Sequence, residues 1–169
     1  MTAQEHVVIV GNGIAGVTAA DTLRAEGFTG AITIVGDEAH PAYSRPALSK
    51  ALLHDPGDLA SHLLPPPLHG AQERLGVRAT SLDTTARRLH LDSGEVLDFT
   101  GLVIATGCRP RLLPGDAHAQ VTLRTIEDAL ALRQRAESAR SVIVIGGGPL
   151  GMEVASGALA HGGDVTIVS

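Results

Sequence analysis

Gly11, Gly13 and Gly16 stand in the spacing G-x-G-x-x-G, and Gly146, Gly148 and Gly151 repeat it. The chemistry this spacing serves is the holding of a pyrophosphate. The first glycine permits a tight turn, the second lets the backbone approach the phosphates with no Cβ in the way, and the third lets a helix lie close to the preceding strand. The helix N-terminus then offers free N–H groups and the positive end of its dipole to the anion. One such string arises by chance in a glycine-rich chain; two, each between an apolar strand and an Ala-rich helix, are much stronger evidence. A fold that uses these glycines only for turns is the plainer alternative.

Such a unit also calls for an acid after its second strand, to hold ribose hydroxyls. Asp37 and Glu38 are the candidates, with Asp37 preferred for its place at the strand edge; the plainer alternative is two solvated loop acids. Ser169 follows the second strand of the second unit and is not acidic. Arg45 and Lys50 lie in a Pro-containing loop, and Lys50 is the only lysine among 13 basic residues. A single ammonium in so Arg-biased a chain hints at a need for a compact charge rather than a planar fork. A loop ion pair for Arg45 and a surface lysine are the bland alternatives. Cys108 has no activating neighbour in the sequence and reads as an incidental, buried or half-buried cysteine. His54, His62 and His69 show no metal-ligand spacing and read as solvated.

The elements that must position these residues follow from the apolar pattern. His6–Val10 is a β-branched run, Ile14–Glu26 a helix stopped by Gly27, and Ala31–Val35 a second strand: a β–turn–α–β unit of a parallel sheet. The stretch to Pro67 is irregular, with Pro46 opening a short helix and Pro65-Pro66-Pro67 extended. Leu68–Leu75 is expected as a helical turn or two and Val77–Leu82 as a strand. Arg88–Asp92 and Val96–Phe99 flank Ser93-Gly94 as a hairpin, and Leu102–Ala105 is a buried strand running into Thr106-Gly107. Ile126–Ala139 is an amphipathic helix with Glu127 and Asp128 in its first turn. Ser141–Ile145, a helix to about Ala160, and Val165–Val168 then repeat the first unit around Gly146.

Composition narrows the classes. The 169 residues carry a net charge of −5 and are 44% hydrophobic, which favours a folded core and gives no basic surface for nucleic acid or acidic membrane. Aromatics are 2%, too few for a base-stacking platform. No apolar run approaches the roughly 18 residues of a membrane span, and no signal peptide is indicated. One cysteine excludes an internal disulfide framework, and a reduced, cytoplasmic setting is the expectation.

The strings VVIVGNGIAG, TIVGDE, YSRPALSK, LVIATGCRPR and VIVIGGGPLGMEVA, in this order, resemble the flavoprotein reductases of the ferredoxin, rubredoxin and putidaredoxin reductase type. Those belong to the two-dinucleotide-domain pyridine nucleotide oxidoreductases. The resemblance covers essentially the whole chain; Arg45, Pro46, Leu48, Ser49 and Lys50 are its most specific part. It implies an α/β fold: a Rossmann-like FAD-binding domain with a β-hairpin or meander insertion over residues 1–112. The first βαβ unit of a second Rossmann-like, NAD(P)-binding domain would follow over 113–169.

The resemblance also implies residue roles. Gly11, Gly13, Ile14, Ala15 and Gly16 would lie on the FAD pyrophosphate, Asp37 on the adenosine ribose, and Arg45 on the FAD phosphates. Ala79 would contact the adenosine through its backbone, and Ala105, Thr106 and Gly107 would close over the cofactor. Gly146, Gly148, Pro149, Leu150 and Gly151 would form the NAD(P)H turn. Lys50 and Glu153 would be the catalytic residues, beside the isoalloxazine ring and near the approaching nicotinamide. NADH and NADPH are not distinguished.

The implied activity is hydride transfer from NAD(P)H to FAD, then single electrons to a ferredoxin-like iron–sulfur carrier, because the loop at Ser49 carries no redox cysteine. The chain is expected to be an N-terminal portion: a fragment, a truncated reading frame or half of a split protein, completed by another chain or by a homodimer. Two alternatives stand beside this reading. One is a non-catalytic dinucleotide-binding fragment. The other is the flavin subunit of a different family member, such as a nitrite reductase or an apoptosis-inducing-factor-like oxidoreductase.

Overall fold

The computed structural model describes residues 5–54, 59–65, 68, 70–115 and 120–169. Pro66, Pro67 and His69, on which an extended proline run and a solvated histidine were expected, lie outside the described residues, as does the His54 side chain. The chain divides into two compact units. One comprises Met1–Tyr43 and Leu63–Cys108, the other Ser44–His62 and Arg109–Ser169.

In the first unit, β1 (His6–Val10) runs through the Gly11 turn into α1 (Ile14–Ala25) and returns as β2 (Ala31–Gly36). Later in the unit come β3 (Gln72–Leu75), β4 (Ala79–Asp83), β5 (Arg88–Leu91), β6 (Val96–Asp98) and β7 (Gly101–Ile104). A parallel sheet has the order β3-β2-β1-β7, and β4-β5-β6 form an antiparallel meander. The near-continuous apolar runs of β1 and β2 reflect burial on both faces. Val8, Val10 and Val35 pack against Leu89, Leu91 and Leu97 of the meander. Val7, Ile9, Ile32 and Ile34 pack on the other face with Ala20 of α1. His6 ties the layers at the bottom of β1: its Nδ1 lies 2.7 Å from the Asp98 carbonyl and its Nε2 2.8 Å from Thr33 Oγ1.

Three local expectations change. Leu102–Ala105, expected as a buried strand, is the partly buried β7, with Ile104 exposed. Gln72–Leu75 is a strand where a helical turn was expected. It pairs in parallel with β2, Thr33 opposite Gln72 and Gly36 opposite Leu75. A helix of one or two turns has few internal hydrogen bonds to offset its nucleation cost, whereas the free edge of β2 offers a full ladder. The second strand begins at Ala79, so Val77 and Arg78 lead into it rather than belong to it. The hairpin stands as read: Gly94 turns with φ +87°, and the Leu91 N–H donates to the Glu95 carbonyl at 3.0 Å.

In the second unit, a 3₁₀ turn at Arg45–Ala47 with Pro46 near its start leads to α2 (Ala51–His54). Then follow α3 (Ile126–Ser138), β8 (Ser141–Ile145), α4 (Pro149–Ala160) and β9 (Asp164–Val168). β8 and β9 pair in parallel, Ser141 opposite Asp164 and Ile145 opposite Val168. The buried apolar residues are Leu48, Leu52 and Leu53, Ile126, Ala129 and Ala136 of α3, Val144 of β8, and Ala155 and Ala158 of α4. α3 has a capping box. Thr125 Oγ1 accepts from the Asp128 N–H at 3.2 Å, and the Asp128 carboxylate accepts from the Thr125 N–H at 3.0 Å.

Candidate functional site

The first glycine turn is set by the strands on either side of it. The Gly11 N–H donates to the Val35 carbonyl and the Ala105 N–H to the Val10 carbonyl, both at 2.7 Å. Gly11 therefore sits between the ends of β2 and β7. Its φ is +121°, and a Cβ there would stand 2.1 Å from the Ala105 carbonyl oxygen and 3.0 Å from the Thr106 nitrogen. This close approach brings Ala105 and Thr106 to the turn, with Gly107 next in the chain at φ +68°. Gly16 packs on the far side: a Cβ would stand 1.9 Å from the Gly11 carbonyl oxygen.

Gly13 is different. Its backbone is ordinary extended chain (φ −95°, ψ −176°), and a Cβ would meet nothing within 4 Å. The protein itself therefore gives no reason for glycine at this position. Gly13 is the N-cap of α1, yet no side chain caps the helix, no acid lies in its first turn, and Ile14 and Ala15 are exposed. The first N–H groups of a helix need partners, and an anion is the partner that the dipole favours.

The second turn repeats the arrangement, except that no strand presses on Gly146 as Ala105 does on Gly11: a Cβ on Gly146 would meet nothing within 4 Å among the described residues. The Gly146 N–H donates to the Val168 carbonyl at 2.7 Å, and Gly146 has φ +112°. A Cβ on Gly151 would stand 2.0 Å from the Gly146 carbonyl oxygen, while Gly148, the N-cap of α4, has open space. Pro149 opens α4, Leu150 is half exposed, and again no side chain caps the helix and no acid lies in its first turn. The capping box of α3 shows that this chain can close a helix end with side chains. The two helices after glycine turns lack such closure, so both turns fit a dinucleotide pyrophosphate.

The strand register corrects one detail. Val35 pairs with Val10 as Val168 pairs with Ile145, so Ser169 is the equivalent of Gly36, not of Asp37. The equivalence is visible in packing. A Cβ on Gly36 would lie 2.8 Å from that of Asn12, and a Cβ on Gly147 would lie 3.2 Å from that of Ser169.

Asp37 directly follows β2 and pairs with Arg78, Oδ2 to Nη2, at 3.7 Å. Ala79 is the next residue after Arg78 and opens β4. Glu38 accepts a hydrogen bond from the Tyr43 phenol. Arg78 had no signal in the sequence, because only the fold brings it to Asp37.

The second unit gathers Arg45, Ser49, Lys50 and Glu153. Arg45 Nη1 donates to the Arg124 carbonyl at 2.7 Å. Lys50 Nζ lies 2.9 Å from Glu153 Oε1 and 3.5 Å from the Pro46 carbonyl. The Ser49 hydroxyl donates to the other Glu153 oxygen. These hydrogen bonds, Ser49 first and Lys50 second, hold the Glu153 carboxyl below its ordinary 4.5 against a small opposing effect of burial. The two residues expected to be catalytic thus form one ion pair. Ser49 belongs to the string that carries the resemblance, and its contact with Glu153 comes only from the fold. Cys108, expected to be buried or half-buried, is exposed instead.

The pyridine nucleotide-disulphide oxidoreductase family model matches residues 5–169. The chain belongs to that family. Its relatives include the ferredoxin–NAD(+) reductase component of a p-cumate 2,3-dioxygenase system of Pseudomonas putida, 40% identical over 96% of this chain and 42% of that protein. Putidaredoxin reductase of Pseudomonas putida is 39% identical over 99% of this chain and 42% of its own length. Among solved structures, a covalent putidaredoxin reductase–putidaredoxin complex superposes with a TM-score of 0.88 at 38% identity, covering 98% of this chain and 42% of that one. The chain therefore spans about two fifths of the length of the family members it matches. The likeness bears out the two-dinucleotide α/β fold. No helix among the described residues is long and apolar enough to cross a membrane.

Proposed function

We propose that this chain is part of an FAD-dependent NAD(P)H oxidoreductase of the ferredoxin reductase type, acting in the cytoplasm. Residues 1–112 would form the FAD-binding portion and 113–169 the beginning of the NAD(P)H-binding portion. The observation that carries the reading is the duplicated turn. Gly13 and Gly148 each leave open space before an uncapped helix, where the protein alone requires no glycine. When bound, FAD supplies the chemistry, taking a hydride from NAD(P)H and passing single electrons to an iron–sulfur carrier. A ferredoxin-like partner is supported by the ferredoxin and putidaredoxin in the names of the relatives.

The chain's own residues bind and orient. Gly11 and Gly16 shape the turn, and Gly13, Ile14 and Ala15 present backbone N–H groups to the FAD pyrophosphate. Asp37 accepts from the adenosine ribose hydroxyls, with Arg78 paired to its carboxylate. Ala79 borders the adenosine, and Ala105, Thr106 and Gly107 close the turn. Arg45 neutralises phosphate charge. Gly146, Gly148, Pro149, Leu150 and Gly151 hold the NAD(P)H pyrophosphate. Lys50 and Glu153 hold a fixed pair of opposite charges for the isoalloxazine ring, with the ammonium offering its remaining N–H groups.

The test is a flavin titration of the purified chain, read by the flavin absorbance band and by retention on a desalting column. Stoichiometric retention that is lost in Gly13→Ser is the expected result. A chain that takes up no flavin, or a Gly13→Ser chain that keeps it, would refute the assignment for these residues.

A further inference from the structure

We infer that Ser49 is a positioning residue, whose buried hydroxyl fixes the Glu153 carboxylate in the one orientation that presents its second oxygen to Lys50. The inference rests on the proposed flavin role of the Lys50–Glu153 pair.

The pair by itself has little to hold it in place. The Lys50 side chain is 58% exposed and that of Glu153 33%. Ion pairs this open to water gain little from Coulomb attraction and lose side-chain entropy on forming. A lone Lys–Glu pair here would sample many rotamers, and a charge that wanders is poorly suited to act on a bound ring.

Ser49 changes that balance. It is 4% exposed, between buried Leu48 and exposed Lys50, so its side chain is ordered before any ion pair forms. Its hydroxyl donates to Glu153 Oε2, and Lys50 Nζ lies 2.9 Å from Oε1. Two consecutive residues therefore grip the two oxygens of one carboxylate from one side. Rotation of the carboxylate would break both bonds together. Lys50 is the charged group acting on Glu153, and it comes from the same segment as Ser49. A serine gives this grip at low entropic cost, since its hydroxyl hangs on one rotatable bond.

The decisive experiment is ¹³C NMR titration of the Glu153 side-chain carboxyl in the chain without flavin, assigned with Glu153→Gln. In the parent chain Glu153 should titrate below 4.5. In Ser49→Ala its titration should move up toward the ordinary value, and in Ser49→Thr, which keeps the hydroxyl, it should stay low. Should the alanine variant fail to fold by circular dichroism, Ser49→Cys, similar in size but a weaker donor, should give an intermediate titration. A Glu153 titration unmoved in Ser49→Ala, or in Ser49→Cys if that variant must be used, overturns the inference. In flavin-loaded protein, Ser49→Ala should also slow flavin reduction several-fold and shift the acid limb of its pH profile, with flavin affinity unchanged. Failure to bind flavin would sink the proposed function and leave the NMR result intact. An unmoved titration would sink only the role of Ser49.

Discussion

Gly16 rests directly on Gly11: a side-chain carbon on Gly16 would stand 1.9 Å from the Gly11 carbonyl oxygen. Backbone, unlike the end of a flexible side chain, has little freedom to move aside. Gly16→Ala should therefore push α1 away from β1 and destabilise the first unit by about 2 kcal/mol, the usual scale of overpacking. Gly151→Ala, 2.0 Å from the Gly146 carbonyl oxygen, should do the same in the second unit. Urea unfolding followed by circular dichroism measures both. Midpoints equal to the parent's would show that helix and strand can part without cost.

Gly13→Ser should act in the opposite sense on stability. The backbone there suits any residue, the space is open, and serine is a better N-cap than glycine. The variant should be as stable as the parent or more so, by a few tenths of a kcal/mol. Its side chain would nonetheless occupy the open space and the helix N–H groups that we propose for phosphate, and flavin retention should be lost. A thermal melt and a flavin titration on the same sample separate the two effects. Undiminished flavin affinity would remove the site from the Gly11–Gly16 turn.

These contrasts explain which parts of the site are legible in sequence. The glycine spacing reports backbone geometry within one turn, and strand, turn and helix are contiguous, so the whole unit can be read locally. The strand at Gln72–Leu75 escapes a local reading because it depends on the edge of β2, distant in the chain. Lys50 and Glu153 were expected near one cofactor through family resemblance, and spacing alone carried no such signal. Ser49 and Glu153 are 104 residues apart, and Arg78 meets Asp37 only through the fold. Contacts of this kind leave no periodicity for a sequence to display.

Lys50→Ala should spare flavin binding and slow flavin reduction. The lysine touches Glu153 and the Pro46 carbonyl, and neither contact belongs to the glycine turns proposed to hold pyrophosphate. Loss of a fixed charge beside a reacting group should lower the rate by about tenfold or more, equivalent to roughly 1.4 kcal/mol of barrier. Stopped-flow bleaching of the flavin band by NADH in flavin-loaded protein reads this rate, and fluorescence titration reads affinity. A normal rate with intact affinity would count against Lys50 as a partner of the flavin.

Acid should dissolve the Glu153 linkage in a defined direction. Its carboxyl is held below 4.5 in the folded chain by Ser49 and Lys50. A carboxylate depressed on folding adds stability that is complete above its unfolded value and is lost as pH falls through the folded one. Glu153→Gln, which cannot ionise, should therefore lie below the parent in Tm by a constant margin at neutral pH. That margin should shrink as pH drops below 4.5, because protonated Glu153 holds its neighbours no better than glutamine does. The other carboxylates titrate in both proteins, so the difference between the two curves isolates this one group. Thermal melts from about pH 7 to pH 3 trace it. Parallel curves across the whole range would show that the Ser49–Glu153–Lys50 contacts contribute nothing that ionisation controls.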